Sequence, residues 1–92
     1  MTPSASILLV DDDRHLSESM AQWLCELSHE VETAQTLAAA KQHLSRRHFD
    51  LVIADLRLGD DDGFELISHT RANHPDSSVL VVTGYATPDT AV

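Results

Sequence analysis

The sequence predicts an α/β domain built on a doubly wound parallel sheet. Short apolar runs alternate with segments whose apolar residues recur at helical spacing, which is typical of parallel strands joined by helical crossovers. The runs at 7–10, 51–54 and 79–82 are apolar at every position, as expected for strands buried on both faces. The short connections between these segments favour the strand order 2-1-3-4.

Local signals place the elements in turn. The predicted strands cover residues 6–10, 31–34, 51–54 and 79–82, and the predicted helices cover 14–28, 37–47 and 63–73. The alternating pattern of the second strand indicates a position at the edge of the sheet. Asp12 or Asp13 is the expected N-cap of the first helix, and Thr36 that of the second. Pro75 ends the third helix because the residue before a proline avoids the helical conformation.

Two helices have apolar residues on one face, which we expect to pack on the sheet. In the first helix these residues are Leu16, Met20, Trp23, Leu24 and Leu27. In the third they are Phe64, Leu66, Ile67 and Thr70. The acids of the loop before the third helix, Asp60 and Asp61, are interpreted as solvated, and Asp62 with Gly63 as a turn into the helix.

The composition limits the classes of function. With 15 Asp and Glu against 6 Lys and Arg, the 92 residues have a formal charge of −9. A nucleic-acid surface needs a basic patch, so we expect no nucleic-acid binding, and a divalent cation is the more natural ligand. The single cysteine, Cys25, excludes an internal disulfide and fits a reducing compartment. We recognise no signal-peptide leader and no apolar segment long enough to span a membrane. We therefore expect a cytoplasmic protein whose residues 1–92 form one domain.

Polar residues follow three of the predicted strands. Asp11 and Asp12 follow the first, Asp55 the third and Thr83 the fourth. The carboxyl ends of parallel strands meet at one edge, so we expect these side chains to converge. Two unit charges about 4 Å apart repel by roughly 4 kcal/mol at an effective dielectric near 20. A Mg²⁺ ion held by carboxylates and water would relieve this repulsion. The alternative is that the acids after the first strand are capping or solvated residues.

An aspartate beside Mg²⁺ can also act as a nucleophile toward phosphorus and form an aspartyl phosphate. Asp55 is the candidate for this role, since it directly follows a buried strand. The Thr83 hydroxyl is a candidate donor to a phosphoryl oxygen. Its alternative interpretation is a β-branched strand residue with a local hydrogen bond.

Residues 7–13, 50–63 and 79–85 together resemble the receiver domain of two-component response regulators. The resemblance implies a flavodoxin-like fold in which Asp55 accepts a phosphoryl group from a phosphohistidine on a sensor histidine kinase. It also implies that Asp12 and Asp55 bind Mg²⁺ directly, that the backbone carbonyl of Arg57 is a third ligand, and that Asp11 acts through water. Thr83 would be the switch hydroxyl, which moves toward the phosphoryl group.

The chain departs from the family's pattern at two places. Gly59 stands where the family usually has proline. The family's fifth strand, with its lysine and switch aromatic, has no counterpart before Val92, so we expect a receiver domain that is incomplete at its C-terminus. Its fourth strand would then be an exposed edge, and we expect homodimers formed by edge pairing or exchange of elements. Residues 82–92 resemble receivers of sigma-54-dependent activators, which implies a transcription-regulating output domain elsewhere.

Two other functions fit parts of the pattern. A Mg²⁺-dependent phosphatase of the haloacid-dehalogenase type also uses an aspartate at a strand end. That class needs a second aspartate two residues later, where this chain has Arg57. The other alternative is an interaction module that keeps the fold and is not phosphorylated.

Overall fold

A computed structural model describes residues 4–58 and 61–82. In chain order the elements are β1 (Ser6–Val10), α1 (Arg14–Glu26), β2 (Glu30–Ala34), α2 (Leu37–Arg46), β3 (Leu51–Asp55), β4 (Arg57–Leu58), β5 (Asp61–Asp62), α3 (Gly63–Asn73) and β6 (Ser78–Val82). The main sheet is parallel with the order β2-β1-β3-β6, which confirms the predicted order, β6 being the predicted fourth strand. The strand β2 lies at an edge, as its alternating sequence predicts.

The helices begin at the polar residues that the sequence offers as caps. The carboxylate of Asp13 accepts a hydrogen bond from the Leu16 N–H, and the hydroxyl of Thr36 accepts one from Ala39. Such side chains satisfy backbone donors that the first helical turn leaves without partners. The first two helices end slightly earlier than predicted, whereas the third has the predicted bounds.

The described residues of the segment between β3 and α3 form secondary structure that the sequence does not predict. The segment contains the short strands β4 and β5, which pair antiparallel, with Arg57 opposite Asp62 and Leu58 opposite Asp61. Asp61 is exposed, as expected for a solvated acid, but it belongs to a strand, and Asp60 lies outside the described residues. A pairing two residues long has no period that a sequence pattern could reveal.

The core is divided between the two faces of the sheet, because successive side chains of a strand point to opposite sides. Leu8, Val10 and Val52 belong to one cluster, which α2 and α3 cover. Ile7, Leu9 and Ile53 belong to the other, which Leu24 of α1 covers. This arrangement confirms the doubly wound architecture. Across the described residues, none of the helices combines the length and the apolar character that a membrane crossing requires.

The apolar faces predicted for α1 and α3 are only partly buried. Leu24, Leu66 and Thr70 are buried as expected. The prediction is wrong for four residues, whose exposed fractions are 47% for Leu16, 59% for Trp23, 49% for Leu27 and 60% for Phe64. Helical spacing gives the width of an apolar face, whereas burial needs an opposing surface. Among the described elements α1 packs mainly on β1 and β2, and this contact is narrower than the apolar face of the helix.

Candidate metal centre at the carboxyl edge of the sheet

The register of the sheet brings the acidic residues to one edge. Val10 pairs with Ala54 across β1 and β3, so the residues that follow these positions lie side by side. Asp11 extends the hydrogen bonding between β1 and β2 by one residue, because its N–H donates to the carbonyl oxygen of Ala34 at 3.0 Å. Asp55 is the last residue of β3 and pairs with Val82 of β6. The close approach of the acids is therefore a consequence of parallel pairing.

Asp11, Asp12 and Asp55 form a cluster of carboxylates. One oxygen from each lies within 4.8 Å of the others. The side chain of Asp11 is buried, Asp55 is half-buried, and Asp12 is exposed. Three oxygen donors of this kind fit a hard divalent cation that keeps part of its water shell, as Mg²⁺ does. The predicted convergence of these three residues is thus found in the structure.

The cluster perturbs the acidity of its buried member. Burial raises the pKa of Asp11 above its ordinary value, and the neighbouring charges of Asp55 and Asp12 raise the pKa further. The hydrogen bond from the Asp13 N–H opposes this rise in the pKa. A carboxyl group held this way is under electrostatic tension that a bound cation would relieve, because a nearby positive charge favours the ionised form.

The loop after β1 is held by hydrogen bonds to its own backbone. Asp11 Oδ1 accepts from the Asp13 N–H at 2.9 Å, which turns the chain toward α1. Ser17 is fully buried, and its hydroxyl donates to the carbonyl oxygens of Asp13 at 2.9 Å and Asp11 at 3.4 Å. The sequence reasoning missed Ser17. Its spacing of four residues after the N-cap is the available signal, since a helical serine commonly bonds to the carbonyl four residues back.

The loop after Asp55 is closed at its base by Gly63. The N–H of Gly63 donates to the carbonyl oxygen of Leu56 at 3.0 Å. A side chain at this position would meet the Asp55 carbonyl oxygen at 2.5 Å and the Leu56 Cα at 2.6 Å. The backbone therefore approaches so closely that only glycine fits. Leu58 is buried and anchors β4 in the core.

Asp61, in β5, is hydrogen-bonded to the N-terminus of α2. Asp61 Oδ2 accepts a hydrogen bond from the N–H of Leu37, the first residue of α2, at 3.2 Å. That N–H belongs to the first turn of a helix, which has no acceptor within the helix for it. The sequence gives no sign of this contact, because Asp61 and Leu37 lie 24 residues apart.

A cavity of about 80 Å³ lies beside the acids. Asp11 and Asp55 contribute to its wall, and the rest of the lining is apolar, formed by Leu9, Val10, Leu16, Met20, Ile53 and Val82. Apolar walls strengthen electrostatic interactions by excluding water. The carboxylate of Asp55 therefore has a partly apolar environment on this side.

Two residues of the predicted site, Arg57 and Thr83, are not members of the carboxylate cluster. The backbone of Arg57 lies in β4, directly after the turn that follows Asp55. Thr83 follows β6 and lies outside the described residues, as do Gly59 and the whole of residues 83–92. The roles of the Arg57 carbonyl and of Thr83 stay predictions.

The fold and the acidic site together define a doubly wound α/β domain with a carboxylate cluster at the carboxyl edge of its sheet. Residues 7–92 match the response regulator receiver domain, and the chain belongs to this family. Receiver domains bind Mg²⁺ through acidic residues, which agrees with the cluster described above.

The curated relatives are regulatory proteins by name. The chain is 38% identical over 86 residues to the alginate biosynthesis transcriptional regulatory protein AlgB of Pseudomonas putida, an alignment that covers 94% of this chain and 19% of that protein. It is 36% identical over 87 residues to the photosynthetic apparatus regulatory protein RegA of Rhodovulum sulfidophilum, covering 95% of this chain and 48% of that protein. The chain thus spans from about a fifth to about half of the length of these relatives.

Solved structures share the fold closely. A response regulator of Burkholderia pseudomallei, solved with a phosphorylated aspartic acid, a calcium ion and citrate, superimposes with a TM-score of 0.86 at 31% identity, over 96% of this chain and 52% of that chain. A CheY-like receiver domain protein of Methanospirillum hungatei gives a TM-score of 0.86 at 32% identity, over 96% of this chain and 70% of that chain.

Proposed function

We propose that this chain is a phosphoacceptor receiver domain, with residues 1–92 as one domain, and that Asp55 accepts a phosphoryl group from a phosphohistidine of a sensor histidine kinase. The observation that carries the proposal is the convergence of Asp11, Asp12 and Asp55, whose oxygens lie within 4.8 Å of one another. Membership of the receiver family supports the same function. The Burkholderia relative carries a phosphorylated aspartate in its structure, which supports this chemistry.

In the proposed transfer, Asp55 is the nucleophile. One carboxylate oxygen attacks phosphorus, an O–P bond forms, and the P–N bond to the kinase histidine breaks. The imidazole nitrogen that leaves keeps the bonding electron pair and takes up a proton. Asp55 suits this role because it is half-buried at the end of a rigid strand, which fixes the direction of its side chain.

The residues present fit a Mg²⁺ ion. Asp12 and Asp55 would bind it directly, the Arg57 backbone carbonyl would be a third ligand, and Asp11 would act through water. When bound, Mg²⁺ would neutralise the charge that develops on the phosphoryl oxygens. The hydrogen bond from the Asp13 N–H to Asp11 holds that carboxylate in place for this role.

The remaining assignments concern the wider protein. Thr83 is assigned the switch hydroxyl from its sequence position after β6. The output domain would regulate transcription, which the name of the relative AlgB supports, and a sigma-54-dependent activator is the subgroup that residues 82–92 suggest. The partner kinase would phosphorylate the domain in the cytoplasm. We assign no nucleic-acid or membrane contact to these residues, since the formal charge of −9 disfavours both phosphate-rich surfaces.

The domain is proposed to be a regulator, with no turnover of outside substrates. A phosphatase of the haloacid-dehalogenase type would need a second aspartate where Arg57 stands. An interaction module without phosphorylation would give no reason for three carboxylates to converge at one edge of the sheet, since bringing like charges together costs free energy.

A homodimer through β6 is proposed in addition. In the described part of the chain, β6 pairs with β3 on one side only. Its outer residues Leu80, Val81 and Val82 are 51%, 41% and 44% exposed, and the strand carries no charge. Uncharged edge strands with open backbone groups favour pairing with a second chain.

The experiment is incubation with acetyl phosphate and Mg²⁺, followed by intact mass measurement. We expect the unchanged chain to gain one phosphoryl group and Asp55→Asn to gain none. The matched control is Asp50→Asn, which removes an aspartate just before the same strand and should still be phosphorylated. Phosphorylation of Asp55→Asn to the same extent, or steady hydrolysis of acetyl phosphate by that variant, would contradict the proposal. No reaction of a full-length version would favour the interaction module.

A further inference from the structure

The segment after Asp55 has little pairing of its own to hold it in place. The strands β4 and β5 are two residues long each, and so short a pairing is marginal in water. The conformation of β4, which contains the Arg57 carbonyl, therefore depends on contacts to its neighbours.

Three contacts supply this support. The Gly63 N–H bonds the Leu56 carbonyl oxygen at 3.0 Å and closes the base of the segment. Leu58 is buried in the core next to α2 and α3. The third contact is the bond from the Leu37 N–H to Asp61, and Asp61 lies directly opposite Leu58 in the β4–β5 pair.

The third contact differs because it reaches a rigid element. Leu37 begins α2, is 8% exposed, and belongs to the same core cluster as Leu58. Among the described residues, α2 is also linked to α3 by the Lys41–Glu65 ion pair at 3.8 Å. Both of its side chains are more than a third exposed, and such pairs contribute little. The Asp61 bond is therefore the shorter and the more directional of the two.

We propose that Asp61 is a positioning residue for the metal centre: by accepting the Leu37 N–H, it holds β5, and through β5 the paired backbone of β4, against the N-terminus of α2. The inference rests on the proposed function, since it takes the Arg57 carbonyl as a Mg²⁺ ligand. Asp61 itself contacts neither the metal nor the phosphoryl group in this account. Its effect is to keep the backbone of β4, which includes that carbonyl, in place before the cation arrives.

The test separates the hydrogen bond from the charge. Asp61→Asn removes the charge and keeps an oxygen that can accept from Leu37, whereas Asp61→Ala removes both. Mg²⁺ affinity is measured by calorimetry on the 92-residue chain, and amide hydrogen exchange of Leu37 is measured without metal. We expect Asp61→Ala to weaken Mg²⁺ binding about fivefold, the worth of one ordinary hydrogen bond, and to speed exchange at Leu37 by a similar factor.

The conservative variant decides the interpretation. Asp61→Asn should restore both readouts to within about twofold of the unchanged chain. Asp76→Ala, which removes an exposed carboxylate just before β6 at the opposite edge of the sheet, is the charge control and should change neither. Circular dichroism checks that each variant is folded.

Each other result overturns the inference in a recognisable way. Equal weakening by the Asn and Ala variants would show that the charge of Asp61 acts on the cation at a distance. Unchanged affinity in Asp61→Ala, with binding retained by the unchanged chain, would overturn the positioning role and leave the proposed function standing. No Mg²⁺ binding by the unchanged chain would overturn both.

Discussion

The Cβ of any side chain placed at position 63 would lie 2.5 Å from the carbonyl oxygen of Asp55. The nearest atoms are all backbone, so a rotamer change cannot relieve the contact. The start of α3 and the end of β3 are thus packed against each other at the site itself. This close approach couples the geometry of the acidic cluster to the helix that follows it.

Gly63→Ala is expected to destabilise the domain by about 1–3 kcal/mol, the usual cost of overpacking. It should also weaken Mg²⁺ binding, because the backbone on either side of Asp55 must shift. Urea denaturation gives the first quantity and calorimetry the second. Ser68→Ala, at an exposed position of the same helix, should change stability by less than about 0.5 kcal/mol. A Gly63→Ala variant as stable as the unchanged chain would refute the prediction.

Asp11→Asn is expected to stabilise the metal-free domain at neutral pH, by on the order of 1 kcal/mol. The folded chain raises the pKa of Asp11, so the folded state holds this proton more tightly than the unfolded state. The associated stability is fully present below the unfolded pKa of about 3.9 and is lost as the pH rises through the higher folded pKa. Asparagine lacks the charge and still offers an oxygen to the Asp13 N–H.

Urea denaturation with a chelator, repeated at several pH values, measures this effect. The advantage of Asp11→Asn should be largest at neutral pH and should shrink as the medium becomes more acidic. In saturating Mg²⁺ the advantage should also shrink, because the cation then offsets the repulsion. An advantage that grows on acidification has the opposite sign and would rule out this account.

Asp50 should make the stability of the domain depend on pH in the direction opposite to that of Asp11. Its Oδ2 accepts the Ser6 N–H at 2.9 Å, and this bond, assisted by nearby His48 and Arg47, lowers the pKa of Asp50. The stability it contributes is present above the unfolded pKa of about 3.9 and is lost as the pH falls through the lowered folded pKa. We therefore expect Asp50→Ala to lower the urea midpoint at neutral pH.

The lowering of the urea midpoint by Asp50→Ala should vanish in acid. The midpoints of the unchanged chain and of Asp50→Ala should converge as the pH falls below about 4. Asp76→Ala removes another exposed carboxylate and is the control. A gap between the midpoints that stays constant across the titration would show that the Ser6 bond does not depend on the charge of Asp50.

Two neighbours on α1 should respond very differently to truncation. Leu24 is 9% exposed and packs on the cluster around Ile7, whereas Trp23 is 59% exposed. Leu24→Ala should cost about 2–4 kcal/mol of unfolding free energy. Trp23→Ala should cost less than about 1 kcal/mol, although tryptophan is the larger residue. A larger loss for Trp23 in urea denaturation would mean that another part of the protein covers this residue.

Val81→Lys should suppress the proposed homodimer. Val81 lies in the edge strand β6 and is 41% exposed, and a lysine on such an edge opposes pairing with a second chain. Light scattering across a concentration series is expected to show a dimer for the unchanged chain and a monomer for the variant. Gln22→Lys, on the exposed side of α1, makes the same change in charge and should leave the dimer intact. A monomer at every concentration of the unchanged chain would contradict the dimer.

The amino-acid sequence by itself determined the order of the three helices and of the four strands of the main sheet, the strand order of that sheet and the edge at which the acids meet. These properties follow from local patterns: apolar runs, caps at Asp13 and Thr36, and a carboxylate directly after a strand. Parallel pairing then requires Asp11 and Asp55 to be neighbours, whatever the details of packing.

Only the tertiary structure decided which apolar residues are covered and which polar residues support the site. Trp23 and Phe64 satisfy the helical pattern and are nevertheless exposed, because burial depends on a surface contributed by other segments. Gly63 and Asp61 support the site through contacts that a single sequence does not reveal. The physical reason is that periodicity reports the direction of a side chain relative to its own helix or strand, whereas contact depends on residues distant in the chain.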